Sequence, residues 1–139
     1  MSAALCVASF AFFSGEPQGL IVDYELPYSV RVGEEFEFVL HLTNASGHPL
    51  QVSDIDADEV FSGSILDGAV VLSTDPPMER DYSLSGIKTF AFDTTIPPGE
   101  TTTVRFLLMA TTPGEFGGSV GVYVGRLATR VYPLITIVE

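Results

Sequence analysis

The sequence predicts one all-β domain, an antiparallel sandwich of two sheets over residues 20–139, behind an apolar N-terminal segment that spans residues 1–19. Short stretches that alternate apolar and polar residues recur between turns, at the spacing of about 8–12 residues typical of sandwiches and barrels. The 13 glycines and 9 prolines are dispersed along the chain, as turn residues are. No amphipathic helix of three turns is found after residue 14, and 139 residues suffice to bury one core.

The first predicted strands lie on either side of Pro27. Residues 20–25 and 28–32 are typical of an edge strand that breaks at a proline and changes its partner. Residues 35–44 form the clearest strand, because apolar side chains occupy every second position and therefore share one face. The side chains expected in the core are those of Phe36, Phe38, Leu40 and Leu42.

Turns separate the remaining predicted strands. Residues 44–49 are rich in turn residues. Residues 61–73 are expected to hold one or two short strands, and residues 74–81, with Pro76 and Pro77, are expected to be a loop. The other predicted strands are residues 50–55, 87–93 (with Phe90 and Phe92 on one side), 101–110, 116–124 and 127–138.

Residues 1–13 carry no charge. As a helix they would reach about 20 Å, less than the roughly 30 Å of a bilayer core, and they lack the basic start of a signal peptide. Two interpretations remain open, a buried strand of the sandwich or a segment docked on a partner chain or the lipid boundary, with the following residues as a hinge. We expect docking, through Leu5, Val7, Phe10, Phe12 and Phe13.

The charge of the chain restricts its partners. Eighteen acidic residues oppose six basic ones, a net charge of −12, which repels phosphate backbones and anionic lipid. Nucleic acid is therefore not an expected partner. The single cysteine, Cys6, excludes an internal disulfide and a cysteine-rich metal site.

Two motif segments carry a family resemblance. These are VGEEFEFVLHLTNASGHPLQVSDI at residues 32–55 and IPPGETTTVRFLLMATTPGEFGGSVGVYV at residues 96–124. They resemble bacterial immunoglobulin-like domains of the ASH/PapD-like type, although residues 57–63 lack the Ser-Cys-Gly-Cys motif of some members. The resemblance implies an immunoglobulin-like sandwich that binds partners or is architectural, often outside the cytoplasm.

No catalytic or cofactor motif is found in the sequence. His41 and His48 belong to one strand and turn, where we expect them at the surface, and no nucleophile elbow or glycine-rich phosphate loop accompanies them. A copper site would need two histidines and a cysteine near the C-terminal end. We therefore expect no enzyme activity and no cofactor.

The acidic residues 54–59 are the one constellation that suits a metal. Asp54, Asp56, Asp58 and Glu59, joined by Asp67 or Asp75, supply the oxygen ligands that Ca²⁺ prefers, but the stretch does not match an EF-hand loop. We expect a solvated acidic loop without metal. The tripeptide Asn44-Ala45-Ser46 matches the N-glycosylation pattern, which matters only in a eukaryotic secretory setting.

Strands 104–109 and 131–138 are apolar on both sides. This indicates a covering partner, unless bulges turn all these side chains into one core. We expect a non-catalytic structural or interaction subunit, held in a larger, membrane-associated assembly outside the cytoplasm. The alternative is an extracytoplasmic carbohydrate- or Ca²⁺-dependent binding module that uses tyrosines such as Tyr82 and Tyr123, although tryptophan is lacking.

Overall fold

The structure, a computed structural model, describes residues 5–9, 19–58, 65–84 and 86–139. The strands are β1 (Leu5–Ser9), β2 (Leu20–Pro27), β3 (Ser29–Arg31), β4 (Glu35–Asn44), β5 (Leu50–Asp58), β6 (Ala69–Asp75), β7 (Arg80–Leu84), β8 (Ile87–Ile96), β9 (Thr101–Ala110), β10 (Gly114–Phe116), β11 (Val120–Val124), β12 (Leu127–Val131) and β13 (Ile135–Val138). One short helical turn, α1 (Ile65–Gly68), precedes β6.

Two five-stranded sheets form the sandwich. The first sheet has the order β1-β2-β4-β9-β6, and the second has the order β12-β11-β5-β8-β7. A third sheet of three strands, β10-β13-β3, carries the only parallel pair among the described strands, β13 with β3. The predicted all-β sandwich is confirmed, with this parallel pair as an addition that the sequence did not predict.

The core lies between the sheets and is built on β4. Phe36, Phe38, Leu40 and Leu42 are all buried, which confirms the face predicted from their alternation. Phe106 of β9 forms the centre of an aromatic group, with ring centroids 6.0 Å from Phe38, 5.2 Å from Phe90 and 6.2 Å from Phe92. Such tilted and edge contacts are the favoured geometries of aromatic pairs.

Pro27 ends β2 as predicted, and the chain then changes sheet. β2 pairs in the first sheet, whereas β3 pairs with β13 in the third. The predicted edge position is wrong for β2, which lies between β1 and β4, and is confirmed for β3, which is at the edge of the third sheet. The edge position was inferred because proline has no N–H to donate to a neighbouring strand. Since Pro27 is the last residue of β2, the missing N–H does not prevent the rest of the strand from lying inside the sheet.

Two predicted strands near the C-terminus are each divided in two. Residues 116–124 contain the last residue of β10 and all of β11, separated by residues that include Gly118 at φ +107°. Residues 127–138 form β12 and β13, interrupted around Pro133, which has no N–H for a ladder. Residues 56–86 contain the turn α1 in addition to the short strands β6 and β7.

The backbone of residues 5–9 is a strand. β1 pairs antiparallel with β2, with Leu5 opposite Pro27 and Ser9 opposite Asp23. This pairing concerns the backbone alone: the side chains of Leu5 and Val7 lie outside the described residues, so docking of this segment on a partner or the lipid boundary stays a prediction. The other predicted contact residues, Phe10, Phe12 and Phe13, and the hinge up to residue 18 lie outside the described residues. In the described ranges, no helix has the length and hydropathy needed to cross a bilayer.

Candidate interaction surfaces and polar clusters

His41 lies on the outer face of the first sheet, between a carboxylate and a hydroxyl group. Its Nδ1 is 3.1 Å from Thr103 Oγ1, and its Nε2 is paired with the carboxylate of Glu25. Hydroxyl, imidazole and carboxylate therefore stand in a row, the order found in nucleophilic triads. His48, by contrast, is exposed in the turn after β4, with Nδ1 3.2 Å from the carbonyl oxygen of Pro49.

The central strand of this row, β4, lies inside the first sheet. β4 is paired with β2 on one side and with β9 on the other along most of its length. Backbone N–H groups of a strand inside a sheet are used by the ladders. The row is a polar cross-strand contact that joins three strands.

Asp56 lies on the outer face of the second sheet. Its neighbours in register are Gly121 of β11 and Thr89 of β8. Its Oδ1 is buried and has no hydrogen-bond partner. Burial raises the pKa of Asp56 above its ordinary value and the nearby Asp54 adds to the rise, while a hydrogen bond from Thr89 and the charge of Arg130 oppose it.

The structure describes only some of the acidic residues that were considered as calcium ligands. Asp54 and Asp56 lie on β5, two positions apart. The side chain of Asp58 and all of Glu59 lie outside the described residues. Among the residues that are described, no three His, Cys, Asp or Glu side chains come close enough together to hold a metal ion.

Tyr123 and Arg130 form a pair across β11 and β12. Arg130 Nη2 donates a hydrogen bond of 2.9 Å to Tyr123 Oη, and its guanidinium carbon is 5.8 Å from the ring centroid. Gly121 lies under both, since a Cβ there would be 3.0 Å from Arg130 Nη1 and 3.2 Å from Tyr123 Cε1. The lack of a side chain at Gly121 lets the pair pack against the sheet.

Five exposed apolar side chains lie in or beside β3 and β13, whose own outward residues include Ser29 and Arg31. We name this group the β3–β13 patch: Tyr28, Val32, Tyr132, Leu134 and Val138, which are 56%, 42%, 50%, 63% and 41% exposed. The strands hold it together, since Thr136 N donates to Tyr28 O at 3.0 Å and Val32 N donates to Val138 O at 2.8 Å. This patch accounts for the two-sided apolar pattern predicted for residues 131–138.

The other two-sided strand, residues 104–109, is less exposed. Val104, Phe106 and Leu108 are buried in the core, while Leu107 and Met109 are half-buried on the outer face. Neighbouring side chains of the same sheet therefore cover part of this strand. The expectation of an exposed apolar face holds for β13 and not for β9.

A groove opens between the free edges of the two sheets. This β6–β7 groove has a volume of about 260 Å³. Its lining residues come from β6, β7, β8 and the loop before β7: Ala69, Val70, Val71, Met78, Asp81, Lys88 and Phe90. Lys88 Nζ lies 2.7 Å from Asp81 Oδ2, so the charges in the groove form an ion pair.

Sequence reasoning identified the individual residues of these surfaces but not their groupings. Asp56 is far in the chain from Gly121 and Arg130 and becomes their neighbour only through the register of β5, β11 and β12. The same holds for His41, Glu25 and Thr103. The alternation in β4 indicates that His41 is on the outer face, but it contains no signal for the partner strands.

No protein-family model and no curated protein matches the sequence. Solved structures do match the fold. AvmM, which catalyses macrocyclization in alchivemycin A biosynthesis, is 9% identical with a TM-score of 0.55, over 88% of this chain and 90% of that chain. Pseudomonas fluorescens alkylpurine DNA glycosylase AlkC, bound to DNA containing an abasic site analog, is 13% identical with a TM-score of 0.50, over 99% of this chain and 31% of that chain.

A third similar structure is the seventh ScaB type I cohesin from Pseudobacteroides cellulosolvens, 13% identical with a TM-score of 0.45, over 80% of this chain and 87% of that chain. At such identities the similarity concerns the fold alone. The two packed sheets define the chain as an all-β sandwich.

Proposed function

We propose that the chain is a non-catalytic structural or interaction subunit, whose immunoglobulin-like domain is held in a larger protein assembly. The observation that carries the proposal is the β3–β13 patch, in which five large apolar side chains are each at least 41% exposed. Contiguous apolar surface on a folded domain is typical of protein–protein contacts. Leu134 has the largest exposed fraction of the five, 63%, and is therefore the position chosen to probe a partner contact.

The same proposal places the assembly at a membrane outside the cytoplasm and assigns the domain to the ASH/PapD-like type. Residues 1–13 support the membrane contact, because they are uncharged and apolar. The first basic residue is Arg31, so the flank that follows is acidic, as suits the non-cytoplasmic side. The two motif segments support the type, since Asn44 of the first accepts a hydrogen bond of 2.7 Å from Gly99 N of the second.

Site-specific photo-cross-linking tests the interaction role. A photoreactive residue at Leu134, in the cells that produce the protein, should give one adduct of defined mass. The matched control is the same residue at Thr95, which is exposed on the second sheet. No adduct at position 134, or equal adducts at both positions, would contradict the proposal.

Deletion of residues 1–14 tests the membrane part. It removes β1, which has only β2 as a partner among the described strands, so the remaining sandwich should stay folded. The shortened chain should no longer co-sediment with membranes or with its assembly, while its circular dichroism stays that of a β protein. Unfolding of the shortened chain would show that residues 1–14 belong to the core instead.

The outer face of the second sheet favours a second candidate function, carbohydrate binding. The paired Tyr123 and Arg130 lie beside Asp54 and Asp56 and offer an aromatic ring next to hydrogen-bonding groups. Titration with soluble oligosaccharides, followed by amide shifts around Tyr123, tests it. Shifts there that are lost in Tyr123→Ala would favour this function over the first.

A further inference from the structure

The edge strand β7 is exposed along its whole length. All five of its residues, Arg80 to Leu84, are exposed, and its register with β8 runs without interruption from Arg80 opposite Ala91 to Leu84 opposite Ile87. Within the described part of the chain, β7 has β8 as its only strand partner. Its outer N–H and C=O groups therefore form a regular row that can pair with another strand.

The opposite rim of the groove differs from β7. β6 forms the edge of the first sheet there, and its register with β9 shifts between Val71 and Ser73. A bulge of this kind twists an edge and disrupts the row of backbone groups, which is a common protection against strand addition. Of the two edges beside the groove, β7 is thus the one that is shaped to accept a strand.

The groove gives an added strand a place for every second side chain. Asp81 of β7 is opposite Phe90 and lines the groove, whereas Tyr82 is opposite Thr89 and lies toward the outer face. A strand added to β7 would alternate in the same way. Its groove-facing side chains would meet the apolar residues Val70, Val71 and Met78, so apolar residues are expected at those positions.

The charge beside the β6–β7 groove indicates which charge is favoured on those side chains of an added strand that do not enter the groove. Asp75, Glu79 and Asp81 are exposed in or beside the groove. The nearby cations are engaged: Lys88 pairs with Asp81, the guanidinium of Arg80 is 5.8 Å from the centroid of Tyr82, and Arg105, opposite Asp75, pairs with Glu37. The remaining acidic charge there comes from Asp75 and Glu79. With a net charge of −12 on each chain, a second copy would be repelled, whereas a basic segment would be attracted.

We infer that β7 and the β6–β7 groove are the docking site of an extended, basic segment of a partner protein, which adds to the second sheet as a further strand. The segment alternates apolar residues, which enter the groove, with lysine or arginine. This inference rests on the proposed interaction role and names one surface and one partner chemistry for it.

The test uses the full chain, labelled with ¹⁵N, and the peptide Ac-KVKVTVK-NH₂ as the probe. Amide shifts should be confined to residues 80–84 and to the facing residues of β6, and they should weaken with added salt. The acidic analogue Ac-EVEVTVE-NH₂ should bind at least about tenfold more weakly, a difference of about 1.4 kcal/mol. If about 2 mM of the basic peptide causes no amide shifts, the affinity is weaker than millimolar and the inference is overturned.

A pair of variants with the same charge change separates strand addition from long-range attraction. Tyr82→Lys places a charge on the accepting edge and should reduce the affinity about tenfold or more, whereas Ser73→Lys places it on the bulged edge and should change it little. Circular dichroism confirms that both variants fold. Equal loss in both variants overturns strand addition.

Two further outcomes distinguish this inference from the proposed function. Peptide-induced shifts at the β3–β13 patch instead of β7 would overturn the inference and leave the interaction role in place. Concentration-dependent shifts of residues 80–84 without peptide would show that a second copy occupies the edge, and would overturn the basic partner. Failure of the Leu134 cross-link would affect the proposed function and not the peptide result.

Discussion

The side-chain amide of Asn44 donates a hydrogen bond of 2.8 Å to the carbonyl oxygen of Ile96, and a second one of 2.8 Å to that of His48. Its Oδ1 accepts from Ser46 N and Oγ at 2.9 and 2.6 Å, and the residue is 0% exposed. Asn44 therefore joins the turn after β4 to the end of β8. The nitrogen that glycosylation would modify is buried and engaged, so the tripeptide Asn44-Ala45-Ser46 is a structural element in the folded domain.

Replacement of Asn44 by alanine should lower the free energy of unfolding by about 2–4 kcal/mol, because buried carbonyl oxygens lose their donors. Ser46→Ala is the matched control and should cost about 1 kcal/mol, since its hydroxyl bonds only within the turn. Urea unfolding measures both. A loss in Asn44→Ala no larger than in Ser46→Ala would contradict the role of the Ile96 contact.

Phe106→Ala should lower the free energy of unfolding by about 3–5 kcal/mol, because the ring contacts Phe38, Phe90 and Phe92 in the core. Leu107→Ala, on the half-buried outer face of the same strand, should cost less. Denaturant unfolding with an unchanged m-value tests the pair. Similar losses in the two variants would show that the core is not centred on Phe106.

Gly68→Ala should destabilise the domain by about 1–3 kcal/mol, the usual cost of overpacking. A Cβ at this position would lie 2.5 Å from Phe116 Cε2, and Phe116 is a buried core residue. Gly47→Ala is a suitable control, since no atom lies within 4 Å of its Cβ position. Thermal unfolding of both variants should show a lowered Tm only for Gly68→Ala, and equal Tm values would refute the close contact.

Asp56→Asn should stabilise the domain at neutral pH. Burial raises the pKa of Asp56 above its ordinary value, so the folded chain keeps this proton at pH values where the unfolded chain has lost it. The contribution to stability is fully present below the ordinary pKa of about 4 and is lost as pH rises through the raised pKa.

The difference in unfolding free energy between Asp56→Asn and the natural chain should therefore grow from pH 4 to pH 8. Asp54→Asn, which removes the neighbouring charge that adds to the rise, should reduce this pH dependence in part. Denaturant unfolding across the pH range measures both differences. A flat difference for Asp56→Asn would contradict the raised pKa.

Local patterns predicted the strands because their causes are local. The alternation in β4 identified its four core residues. The same pattern placed Phe90 and Phe92 of β8 on one side, and both are buried. Pro27 and Pro133 both follow the rule that proline has no N–H to donate to a strand ladder, but the prediction applied this rule to only one of them. Each interrupts a ladder, but only Pro27 was used as a strand boundary, while Pro133 was included in a predicted strand.

The spacing of apolar residues within one strand does not indicate which strand lies next to it in the sheet. β6 is close in the chain to β7 but pairs with β9 in the other sheet, and β3 pairs in parallel with β13 at the far end of the chain. Such pairings depend on register and packing over long separations in sequence. The candidate sites depend on them too, since Asp56 meets Gly121 and Thr89 only across strands.

By itself, the sequence determined the all-β class, the core face of β4 and the acidic charge of −12, because alternation, turn residues and composition act locally or add up over the chain. Only the tertiary structure decided that Asn44 bonds to Ile96 and that an exposed, regular edge at β7 stands beside a groove. These features arise where distant segments meet, and a backbone group is free or paired according to the strand next to it.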